Sequence, residues 1–216
     1  MRATSMLRFV LFGAIGFGIG WTVAGLFNVV LAALTDPMFQ PGSEPPPGWA
    51  TWPPYFAYCL GGAFGGAGLG LAIGGWKRVV ALAVAGGVGF GLSLLLLFVV
   101  AFLFGLGSVG LAMGVGLFGG VVSGLTFGDW KGVVVLGSAG LVGFGIGGAI
   151  AAALGMPFAL YPFFVEFVEL WRTPSLLLQH LLAQAMVGII GGASLGAALA
   201  YLESRKLAEE RRPRVR

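Results

Sequence analysis

The sequence predicts an all-α membrane protein. Its expected architecture is six transmembrane helices, forming three repeated glycine-zipper hairpins in a pseudo-threefold bundle with N and C termini cytoplasmic. Three observations carry that expectation. Of the 216 residues, 58% are hydrophobic and only 9% are charged, against ~25% charged in a typical soluble domain. The chain holds 40 glycines, many of them in rows at every fourth position of long apolar segments, without the three-residue period of collagen. Residues 62–91 also align without gaps on residues 116–145, and 18 of the 30 positions are identical.

Crossing ~30 Å of hydrocarbon takes about 20 apolar residues in a helix. Segments of that kind lie at about 8–34, 55–75, 79–104, 106–128, 132–154 and 176–202, within a single polytopic domain of residues 1–216. The first follows Arg2 and Arg8, and its apolar run from Phe9 to Leu34 exceeds the 7–15 residues of a signal-peptide core. It is therefore read as an uncleaved first span. Residues 35–54 form an outer loop whose prolines, with Gly42 and Gly48, argue against helix. Tight turns are expected at Trp76-Lys77-Arg78, at Gly105 to Gly107, and at Asp129-Trp130-Lys131. A second outer loop covers 156–175. There Phe163, Phe164 and Phe167 fall at helical spacing, predicting a short helix lying in the interface.

Orientation follows from the bases. With the N-terminus cytoplasmic, eleven of the twelve Lys and Arg residues fall inside, and only Arg172 falls outside. The eight acids divide evenly between the sides. Bias in bases but not in acids is the positive-inside signature, and two cytoplasmic ends require an even number of spans. The expected location is the inner cell membrane, multi-pass. The basic cytoplasmic tail, 203–216, holds six bases and three acids, a composition suited to anionic lipid. This distribution explains the net charge of +4 without nucleic acid.

The repeated unit is a helix, a cytoplasmic turn and a returning helix. A weaker third copy is divided between the chain ends: Gly191-Gly192 and Gly196 match Gly65-Gly66 and Gly70, while Gly16-Phe17-Gly18-Ile19-Gly20 matches Gly143-Phe144-Gly145-Ile146-Gly147. Counted from the N-terminus, this gives hairpins of helices one and two, three and four, five and six. The repeat is parallel rather than inverted.

The even helices carry the packing rows Gly62, Gly66, Gly70, Gly74; Gly116, Gly120, Gly124, Gly128; and Gly188, Gly192, Gly196. Four residues advance a helix by ~6 Å with a 40° drift, so each row is a slowly winding groove without side chains. Lipid tails are as apolar as leucine, and helices in a bilayer associate through such close backbone approach. The outer half of the third helix, Leu94 to Phe104, has no glycine and is expected to face lipid.

Polar candidates inside the spans are few. His180 and Gln184 continue the glycine face of the sixth helix at four-residue spacing, and the repeat aligns them with Pro54 and Tyr58, and with Ser108 and Ala112. His180, Gln184, Tyr58 and Ser108 are thus the candidates for a small polar vestibule at the outer end. Asn28 is placed as an interhelical hydrogen-bonding group, Cys59 as a small buried residue, and the tryptophans, Trp21 included, as mostly belonging to an interfacial belt. No nucleophile–base set, zinc motif or phosphate loop is present in the sequence, so neither catalysis nor a metal or other cofactor is expected. The leading expectation is a non-enzymatic membrane protein, an accessory subunit or self-associating scaffold, with other membrane subunits or its own copies as partners. The alternative is a channel or transporter for a small neutral solute along the pseudo-threefold axis. A pigment-binding subunit using His180 ranks below both.

Overall fold

The computed structural model describes residues 3–35, 53–104, 107–156 and 173–210. They form six helices and no strand: α1 (Ala3–Thr35), α2 (Pro53–Ile73), α3 (Trp76–Phe104), α4 (Ser108–Leu125), α5 (Trp130–Ala153) and α6 (Pro174–Glu210). Among the described residues, four helices are long and apolar enough to cross a membrane: α1, α2, α5 and α6. The apolar part of α4, Val109–Leu125, is shorter. These are the proportions of an integral membrane protein.

Several expected boundaries change. Trp76-Lys77-Arg78 and Trp130-Lys131, expected as turns, instead open α3 and α5. The sixth helix continues through Glu210 instead of ending near 202. At 37 residues it is about 55 Å long, well beyond the hydrocarbon thickness. The second and fourth helices end at Ile73 and Leu125, which removes Gly74 and Gly128 from the packing rows. Both lie in turns with left-handed backbone, φ 92° and 71°, and neither would meet a neighbour if given a Cβ. They reverse the chain, with Gly75 beside Gly74 also at φ 92°, because only glycine adopts that conformation without cost. The outer loops and the interfacial segment holding Phe163, Phe164 and Phe167 fall outside the described residues, apart from their edges.

Each helix packs against its neighbours in sequence, and α6 closes the ring against α1. The tightest pairs are α2–α3, α4–α5 and α6–α1. This differs from hairpins counted one–two, three–four and five–six. The glycine rows of the even helices supply the reason. A Cβ on Gly62, Gly66 or Gly70 would run into the α3 backbone at Gly86, Leu82 and Val79. On Gly116, Gly120 or Gly124 it would strike α5 at Gly140, Leu136 and Gly132. On Gly188, Gly192 or Gly196 it would strike α1 at Phe17, Gly13 and Phe9.

The three pairs do not share one register. Gly62 and Gly116 oppose glycines four residues before Phe90 and Phe144. In α6–α1, Gly13, four residues before Phe17, instead opposes Gly192, one turn beyond the expected Gly188. Short turns fix the register of α2–α3 and α4–α5. No turn joins α6 to α1, and a four-residue glycine row offers nearly the same surface after slipping one turn.

Local chemistry secures the turns. Asp129 is the N-cap of α5, its carboxylate accepting a hydrogen bond from the Gly132 N–H. Replacing Asp129 with alanine should lower stability by about 1 kcal/mol, read as a fall in thermal unfolding midpoint in detergent; an unchanged midpoint would remove the cap from the account. At the same end of the bundle, the Arg8 guanidinium donates to the Leu71 carbonyl at 2.9 Å, and Arg78 pairs with Glu203 at 3.6 Å.

Candidate functional site

The bundle centre is built from the glycine doublets. The second glycine of each pair (Gly66, Gly120, Gly192) faces the backbone of the tightly paired helix, as described above. The first makes room for a ring from the other neighbour: Gly65 lies against Phe17, Gly119 against Phe90, and Gly191 against Phe144. The three rings therefore reach the centre from α1, α3 and α5. Their centroids are 5.2 Å (Phe17–Phe90), 5.7 Å (Phe17–Phe144) and 5.3 Å (Phe90–Phe144) apart. All three are 0% exposed.

Trp21 lies one turn beyond Phe17 in α1 and contacts Phe144 at 5.3 Å, Tyr58 at 5.4 Å and Phe90 at 6.2 Å. It is 1% exposed, so it belongs to the core and not to an interfacial belt. The one-turn register difference of α6–α1 explains its place: Gly188 opposes the Phe17 carbonyl and the Trp21 Cβ. Trp76 and Trp130 open α3 and α5 and remain largely exposed, as belt residues do.

Of the polar candidates, the structure brings Tyr58 and Gln184 together. The Tyr58 hydroxyl is within reach of the Gln184 side chain without a well-directed hydrogen bond. Both residues are buried, as is Ala112, their counterpart in the repeat. Gly25 in α1 leaves space for Gln184, whose Cγ would be 3.1 Å from a Cβ there. His180 lies one turn before Gln184 and is wholly buried. Ser108 is the first residue of α4, and its side chain falls outside the described residues. The described members are thus all buried, on the Trp21 side of the three rings.

Asn28 is also buried, two turns beyond Trp21 in α1, and Cys59 is half-buried, its thiol against Gly91. No group of three or more metal-ligating side chains occurs among the described residues. Because the Tyr58 hydroxyl is not well paired, Tyr58→Phe should be as stable as the parent or slightly more so. A loss above about 2 kcal/mol in detergent unfolding would instead show a strong Tyr58–Gln184 bond.

A feature not anticipated from the sequence lies at the basic end. A cavity of about 530 Å³ separates the α4–α5 turn from the end of α6, lined by Asp129, Trp130, Lys131, Arg205, Lys206 and Glu209 among others. A smaller one of about 150 Å³ shares Phe127, Glu203 and Lys206 with it and extends to Arg78. Helical continuity from 203 to 210 creates the wall, and an extended-tail reading of those residues hides it.

Comparison of the chain with known protein families, with curated proteins and with solved structures returns no match.

Proposed function

We propose that the chain is a six-span, non-enzymatic integral membrane protein, acting as an accessory subunit or self-associating scaffold. In this reading the bundle is pseudo-threefold, its units being α2–α3, α4–α5 and the split pair α6–α1. Both termini are cytoplasmic, at the end where Arg8, Arg78, Lys131, Arg205 and Lys206 gather.

The observation that carries the reading is the filled axis. Phe17, Phe90 and Phe144 meet there with no exposed surface, and the three glycine rows bring the paired helices into backbone contact around them. A conducting path needs a polar cavity joining the Tyr58–Gln184 pair to the basic end, and the aromatic centre lies between them. What the chain offers its surroundings is an apolar outer face, including Ile15, Ile19, Val84, Val88, Val142 and Ile146. Its close-packed core suits a fixed member of an assembly.

The test is the mass of the protein extracted in native membrane patches without detergent. The expected result is a defined particle containing further copies or a stoichiometric partner. A particle holding one 22.2 kDa chain and lipid alone would overturn the reading. The transporter alternative draws on the buried residues Tyr58, Gln184 and His180. Solute uptake into proteoliposomes that falls on replacing Gln184 with alanine would favour it over the scaffold.

A further inference from the structure

We propose that the cleft between the α4–α5 turn and the projecting end of α6 binds the headgroup of an anionic phospholipid. The inference rests on the membrane-spanning reading and adds to it a site and a ligand class. Its walls carry three bases, Lys131, Arg205 and Lys206, and three acids, Asp129, Glu203 and Glu209. Two of the acids are already engaged: Asp129 caps α5 through the Gly132 N–H, and Glu203 pairs with Arg78. Both keep their charge, but Arg78 of the adjoining cavity brings the bases to four against three acids, an excess of one positive charge, and leaves Lys131, Arg205 and Lys206 without a short ion pair to Asp129 or Glu203. The Arg205 guanidinium lies over the Tyr201 ring, 5.6 Å from its centroid, which holds its position while leaving its charge available.

The lining is also amphiphilic. Phe127, Val134, Val135 and Leu202 form its apolar portion, suited to the glycerol region and first acyl carbons. Trp130, 76% exposed at the cleft edge, marks headgroup depth, where tryptophan prefers to lie. A volume near 530 Å³ falls in the usual range of small-molecule sites. A basic recess between helices at the membrane surface suits a phosphodiester headgroup. A soluble phosphate would make no use of the apolar wall.

The experiment uses the full chain in phosphatidylcholine nanodiscs containing a minor fraction of phosphatidylglycerol. The protein is then transferred to mild detergent, and native mass spectrometry counts the phosphatidylglycerol retained per chain. The expected result is about one retained molecule, with affinity falling on the order of ten-fold in Lys131→Ala/Lys206→Ala, since each base near the surface contributes several-fold. Lys77→Ala, a base outside the cleft, should leave retention unchanged. Equal retention in all three proteins, or equal loss in both variants, would overturn the site. Displacement of the lipid by millimolar inorganic phosphate would overturn the choice of lipid over a soluble anion. Circular dichroism checks that each variant is folded. Failure of the chain to insert into nanodiscs would count against the membrane reading, whereas insertion without phosphatidylglycerol preference would count against the site alone.

Discussion

Replacing Gly66, Gly120 or Gly196 with alanine is expected to destabilise the bundle by about 1–3 kcal/mol each, the usual cost of overpacking a close contact, and leucine there should abolish folding. A Cβ at these positions would fall under 3.0 Å from the backbone of Leu82, Leu136 and Phe9. Backbone cannot rotate aside as a side chain can, so the helices must separate along the whole row. Separation costs more than the local clash, because close approach is what holds helices together where lipid is an equally good apolar solvent. Two controls distinguish this mechanism from a general loss on altering glycine. Gly107, the N-cap of α4, has open space and an ordinary φ of −70°, so alanine there should cost only the lost cap preference, below about 1 kcal/mol. Gly74 has open space but φ 92°, so alanine there should cost about 1 kcal/mol through backbone strain alone. Thermal unfolding in detergent orders the set. Equal midpoints for Gly66→Ala and Gly107→Ala would refute close backbone approach as the stabilising contact.

The second large effect is expected at the axis. Phe90→Ala removes a ring that touches Phe17, Phe144 and Trp21 and lies against Gly119. Truncating a buried phenylalanine costs about 3–5 kcal/mol in water-soluble cores. In a bilayer the transfer part shrinks while lost dispersion contacts remain, so about 3 kcal/mol is expected. The sharper measurement is a double-mutant cycle. Gly119→Leu alone should be severely destabilising, because its Cβ enters the Phe90 ring. Combined with Phe90→Ala, the new side chain occupies the vacated space, and the pair should be more stable than Gly119→Leu alone by more than 1 kcal/mol. Additive losses would mean that ring and glycine do not share that space. Release of a small dye from proteoliposomes gives a functional counterpart. The parent should release no more than empty vesicles, and release by the parent would contradict a closed axis.

The same glycines and rings show which residues made the fold legible. Long apolar runs marked the six described helices, because helix length in a bilayer is tied to a physical thickness; the eight further residues of α6 carry charge and gave no such signal. Four-residue glycine spacing marked the contact faces, since few other causes place side-chain-free positions on one stripe. Gly74 and Gly128 continue the same spacing yet serve as turns. The spacing alone does not distinguish the last turn of a helix from a left-handed reversal, and the Trp-Lys pair that opens the next helix was the only hint. Tyr58 and Gln184 were recognisable as facing positions through the repeat. That they meet while buried depends on how far α1 and its Trp21 reach across the centre.

The linear order of residues determined the six described helices, their apolar character and the stripes through which they touch. These depend on local periodicity and on the charge and size of single residues. Only the tertiary structure decided which stripes pair, and it chose α6 with α1 over the sequential hairpins because a ring places the chain ends side by side. It also set the one-turn register of that pair, where no connecting turn fixes it and a glycine row presents nearly the same surface at each turn. From that register came the burial of Trp21 beside three phenylalanines. The aromatic centre therefore results from the packing of helices distant in sequence.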